Sequence, residues 1–99
     1  MRLTETQRAA IKASVSSAID ADSRIWLFGS RVDDAKRGGD IDLLIETDKT
    51  LPNRVTTICR LEGSLVMKLE DRKIDIILKD ARTPEAPIHR AARDHGVLL

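Results

Sequence analysis

Two acidic residues stand where a sequence of this kind would normally place apolar ones. Asp40-Ile41-Asp42 heads the apolar run Leu43-Leu44-Ile45, and a third acid, Asp75, is set inside Ile74-Asp75-Ile76-Ile77-Leu78. Carboxylates at i and i+2 of a strand point to the same face, roughly 6–7 Å apart along the chain. Holding them at the edge of a core is costly unless a positive charge lies between them, and a divalent cation is the simplest such charge. Asp75 joins the cluster if its strand lies beside that of Asp42. Three carboxylates so placed would raise one another's pKa, and hard cations such as Mg²⁺ prefer oxygen ligands. Gly29-Ser30 supplies a complementary feature: it ends the apolar run Ile25-Trp26-Leu27-Phe28 with free backbone N–H groups, a hydroxyl and room for close approach. Such a turn can cradle phosphate oxygens. Taken singly these signals are weak. A lone Gly-Ser is usually a turn, Asp-x-Asp is usually an acidic turn or cap, and Asp75 alone fits the solvent face of an edge strand.

The elements that would position these residues follow from periodicity and punctuation. Thr4-Glu5-Thr6-Gln7 has the form of a capping box and opens a first helix that should end near Ala21-Asp22. Ile25–Phe28 is too short for a helix and apolar on both faces, as a central strand would be. A short helical turn around Val32–Lys36 and a hinge at Arg37-Gly38-Gly39 lead to a second strand, Asp40–Thr47. From Asn53 to Asp71, Val55, Ile58, Cys59, Glu62, Leu65, Val66 and Leu69 recur at three- and four-residue steps, which predicts an amphipathic helix with Cys59 as a small core residue. Ile74–Leu78 is the third strand. Thr83-Pro84 reads as the cap and first-turn proline of a last helix, Glu85–His95, which Gly96 stops. The tail Val97-Leu98-Leu99 either packs down or awaits a partner. The order helix, strand, strand, helix, strand, helix predicts one small α/β domain over residues 1–99, a short mixed sheet packed by helices.

Composition narrows the function classes. The chain has 99 residues, 41% hydrophobic and 33% charged, which fits one globular domain with a modest core. A net charge of +1 and two aromatic residues, Trp26 and Phe28, disfavour direct nucleic-acid binding. The single cysteine excludes an intramolecular disulfide and a cysteine-based zinc site, and fits a reducing, cytoplasmic setting. No apolar stretch approaches the ~18 residues of a membrane span, and the N-terminus lacks the pattern of a secretory signal. His89 and His95, six residues apart on the last helix, read as solvated, non-catalytic side chains, and Arg90 and Arg93 as its solvated face. Arg24, Arg31, Lys36 and Arg37 cluster in sequence around the phosphate-binding turn and are candidates for ligand contact.

Taken together, the apolar strand, Gly29-Ser30, nine intervening residues, Asp40-Ile41-Asp42 and then Asp75 resemble the nucleotidyltransferase superfamily of DNA polymerase β. Length and motif placement are similar to the minimal nucleotidyltransferase (MNT) group, whose members often act as antitoxins paired with a HEPN-domain protein. The resemblance implies a polymerase β-like palm fold. It implies that Asp40 and Asp42 hold metal ions bridging the nucleotide phosphates, that Asp75 completes a second metal site, and that Gly29 and Ser30 hold the β- and γ-phosphates. Two Mg²⁺ or Mn²⁺ ions and ATP or another NTP are the implied cofactors and substrate. The implied reaction moves NMP to a hydroxyl, with pyrophosphate leaving. A HEPN-type helical protein is the expected partner and acceptor, within a homo- or hetero-oligomer. The alternative is a catalytically silent module that neutralises a toxin by covering it. One departure stands out: relatives often carry Gly-Ser-x-Ala-Arg-Gly, whereas here Asp33 and Asp34 replace the arginine and glycine. That exchange turns local charge against a triphosphate, leaving Arg31, Lys36 and Arg37 to compensate.

Overall fold

In the computed structural model, residues 3–29, 41–69 and 73–99 are described. Helix α1 (Glu5–Ala18) begins at a true capping box. The Gln7 amide donates to Thr4 Oγ1 at 3.0 Å, and the Thr4 amide donates back to Gln7 Oε1 at 3.0 Å. Two of the orphan donors of the first turn are thereby satisfied. The helix stops at Ala18, earlier than its sequence suggests, with Ile19 as C-cap. Strands β1 (Arg24–Phe28) and β2 (Ile41–Glu46) pair antiparallel, with Ile25 opposite Ile45 and Phe28 opposite Asp42. Helix α2 (Arg54–Leu69) then carries the chain back to β3 (Ile74–Lys79), which pairs parallel with β2. Its N-terminus is capped by Asn53, whose Oδ1 accepts the Thr56 amide at 3.0 Å.

The tail is packed down. Val97–Leu98 forms a fourth strand, β4, antiparallel to β1, and the sheet order is β3-β2-β1-β4. Leu99 follows it into the core, its amide donating to the Ile25 carbonyl at 2.8 Å. Gly96 sits at the crowded corner before β4: a Cβ there would lie 2.3 Å from the Ala92 carbonyl oxygen and 2.9 Å from that of Leu27.

Strand alternation sorts the residues into two layers. Ile25, Leu27, Ile41, Leu43, Ile45, Ile74 and Leu78 face α1 and α2 and form the main core with Ile11, Val15, Leu61, Leu65 and Leu69. The opposite face carries Asp42, Leu44 and Glu46 of β2, and helix α3 (Pro87–His95) packs there against β1 and β2. A burial of this kind, at about 25 cal/mol per Å² of apolar surface, is what holds a small mixed sheet between helices.

Several expected details are corrected. The buried stripe of α2 is Leu61, Leu65 and Leu69, so Val55 and Val66 point outward and Cys59 is exposed rather than in the core. Two stripes of this helix share similar spacing, and only the sheet decides which is inward. The last helix starts at Pro87, not Glu85, because the Thr83 hydroxyl is engaged by Asp80 and the first-turn proline is Pro87. His89 is buried, with Nδ1 accepting the Ala86 amide at 2.9 Å, and is not a solvated side chain.

Candidate active site

The site is built at one end of the sheet, where β1 finishes and β2 and β3 begin. Asp42 is in direct register with Asp75 across the parallel β2–β3 ladder. Adjacent strands lie about 4.8 Å apart, so the two carboxylates project side by side from one face. Asp42 is half-buried and Asp75 exposed, which matches their places on a central and an edge strand. The face is the one opposite α1 and α2, since Ile74, Ile76 and Leu78 take the other side of β3. Asp75 is thus both a solvent-facing residue of an edge strand and a neighbour of Asp42.

Gly29 closes the third side. It follows Phe28, the partner of Asp42 on β1, and has φ +77°, a backbone conformation that side chains rarely adopt. A Cβ at this position would lie 2.3 Å from Asp42 Oδ2. Glycine is therefore required twice over, by its torsion and by the Asp42 carboxylate against its α-carbon. The strand–glycine–carboxylate arrangement expected from the sequence is present in Gly29, Asp42 and Asp75. Ser30, Arg31, Lys36, Arg37 and Asp40, together with Asp33 and Asp34, lie outside the described residues. Among the described residues no group of three acidic, histidine or cysteine side chains is placed to hold a metal ion.

Arg24 does not belong to this site. It lies at the other end of β1 and pairs with Asp48 at 3.1 Å and Glu46 at 3.6 Å. These two acids, the hydrogen bond to Asp48 first, raise its pKa above the ordinary arginine value. Arg93 is likewise no solvated residue, since its guanidinium bridges Glu46 of β2 and Glu85 ahead of α3. The hydrogen bond from Arg93 holds the Glu85 carboxyl below the usual range. Glu46 is buried on the same face as Asp42, four residues along the strand, so this bridge fixes α3 over the far end of the sheet. Sequence reasoning missed the bridge because its partners are separated by 47 positions and Glu46 resembles an ordinary strand-end acid.

A small mixed α/β sheet with in-register acids at its open end and a positive-φ glycine beside them is the frame of a nucleotidyl-transfer domain. The chain matches the nucleotidyltransferase domain family over residues 8–96, and it belongs to that family. No curated protein matches the chain. No helix among the described residues is long and apolar enough to cross a membrane.

Proposed function

We propose that this nucleotidyltransferase domain moves AMP from ATP to a hydroxyl on a partner protein, a small helical chain of the HEPN type, as the antitoxin of such a pair. The observation that carries the transfer reading is the register of Asp42 with Asp75 beside Gly29. Two adjacent carboxylates offer hard oxygen donors, a set suited to Mg²⁺ or Mn²⁺, and Asp40 is assigned as the third ligand. Two such ions, when bound, neutralise the triphosphate and lower the pKa of the attacking hydroxyl.

The chain's own contribution is placement. The β2–β3 ladder fixes the spacing of Asp42 and Asp75, and Gly29, lacking a Cβ, lets the Asp42 carboxylate close against the end of β1. Ser30, Arg31, Lys36 and Arg37 are assigned to the triphosphate. The acceptor hydroxyl releases its proton to solvent as its oxygen bonds to the α-phosphorus, the bond from that phosphorus to the bridging oxygen breaks, and pyrophosphate carries away the electron pair. The exposure of Asp75 leaves that side of the site accessible to an acceptor as large as a protein.

Incubation with ATP, Mg²⁺ and a HEPN-type helical partner should raise the partner's mass by multiples of AMP. Asp42→Asn should abolish the increase while leaving the complex intact. Unchanged masses with both proteins folded would sink the transferase reading. Neutralisation that survives Asp42→Asn would instead support the silent binding module.

A further inference from the structure

The interface between α1 and α2 lies on the far side of the sheet from Asp42 and Asp75, and its apolar packing is interrupted by a polar cluster. Ser14 occupies a core position on α1, on the inward stripe with Ile11 and Val15, and is 4% exposed. A hydroxyl buried there needs partners, and it has two. Lys68 Nζ donates to Ser14 Oγ at 3.0 Å, and Ser14 Oγ lies 3.0 Å from Ser64 Oγ. Either hydroxyl can donate in the Ser14–Ser64 contact, so the Lys68 ammonium and both hydroxyls form one connected polar cluster.

A pocket of about 120 Å³ opens on the cluster, lined by Ser14, Ser17, Ala18, Arg60, Ser64 and Lys68. Its two charged residues are both cations, and neither Arg60 nor Lys68 makes an ion pair among the described residues. Three hydroxyls, an ammonium and a guanidinium line one small concavity, and among the described residues no carboxylate lines it. Guanidinium and ammonium groups of this kind bind tetrahedral oxyanions by charge-assisted hydrogen bonds.

We propose that this pocket is an anion site for a single phosphoryl-sized oxyanion, separate from the nucleotidyl-transfer site. Its volume accommodates an anion of that size. The ligand is free phosphate, or a chemically equivalent dianion.

The test uses the full chain titrated with inorganic phosphate against chloride at matched ionic strength, followed by amide NMR shifts. Saturable shifts at Ser14, Ser17, Arg60, Ser64 and Lys68 are expected. Lys68→Gln and Arg60→Gln, both at exposed positions, should each weaken binding by about tenfold or more with unchanged circular dichroism. AMP, titrated separately, should perturb this cluster more weakly than phosphate does. Non-saturating shifts, wild-type affinity in both variants, or shifts confined to the Gly29–Asp42 end would overturn the proposal. AMP binding the cluster more tightly than phosphate would overturn its assignment to a bare oxyanion.

Discussion

Asp42 is held from two sides: Asp75 flanks it across the ladder, and the α-carbon of Gly29 closes against its carboxylate. The two acids therefore respond differently to the same substitution. Asp75 is exposed on an edge strand, so Asp75→Asn should leave stability within about 0.5 kcal/mol of wild type. Transfer should nevertheless fall on the order of 10²–10³-fold, the loss typical of one preorganised electrostatic contact where charge develops. Denaturant unfolding and nucleotide-transfer rates on the same sample separate the two effects. Gly29→Ala tests the other side. A methyl group would need the Asp42 carboxylate to move and would be strained at positive φ by about 1–2 kcal/mol, and transfer should drop with it. A variant as stable and active as wild type would show that Gly29 does not set the position of Asp42. Asp42 and Asp75 were legible in the sequence because an acid inside an apolar strand conflicts with its surroundings. Glu46 was not, because an acid at a strand's end conflicts with nothing until Arg93 is brought over it.

At the level of elements, the loops at the other end of the sheet depend on one buried acid that no motif marks. Asp80 is 2% exposed and follows β3 directly. Its carboxylate accepts the Leu51 amide at 3.0 Å, the Arg82 amide at 3.0 Å and the Thr83 hydroxyl at 2.9 Å. The turn after β3 is thereby tied to the loop before α2. These hydrogen bonds, the Leu51 amide first, outweigh desolvation and hold the Asp80 pKa below its ordinary 3.8. A depressed folded-state pKa means that the carboxylate's contribution is fully present above the unfolded value. It is lost as pH falls through the lower folded value. Acid titration of stability should therefore show a decline below about pH 4 that is shallower in Asp80→Asn. That variant also turns an acceptor into a donor facing N–H groups, at a cost of about 1–3 kcal/mol at neutral pH. An unchanged acid limb would remove Asp80 as its source.

The same contact explains which elements the sequence could announce. Strands β1, β2 and β3 were legible as apolar runs cut by glycine or charge. The start of α3 was not, because Thr83-Pro84 has the look of a cap while its hydroxyl is committed to Asp80. The inward face of α2 was ambiguous for a related reason: Val55, Cys59 and Val66, at steps of four and seven, fit a helical stripe as Leu61, Leu65 and Leu69 do at steps of four.

For the molecule as a whole, the two-residue strand β4 joins parts of the chain that periodicity cannot connect. It is too short to carry a pattern, yet it adds an edge to the sheet, and Leu99 lies in the core cluster at 8% exposure. Arg8 of α1 donates to the Leu99 carbonyl, and Leu99 in turn donates to Ile25, so the first helix, the central strand and the tail are linked through one residue. Domains of this size have about 5–15 kcal/mol of stability, so one core leucine is a sizeable share. Leu99→Ala should cost about 2–3 kcal/mol, near the low end for a buried leucine, and lower Tm by roughly 4–8 °C for each kcal/mol. Leu98, adjacent in sequence but 59% exposed, provides the control, and Leu98→Ala should stay within about 0.5 kcal/mol of wild type. Equal costs at the two positions, measured by urea and thermal unfolding, would mean that the tail does not dock as β4. Below its lowered Tm, Leu99→Ala should retain transfer activity. Asp42 and Asp75 are held by the β2–β3 ladder, two strands away from the edge that the substitution loosens.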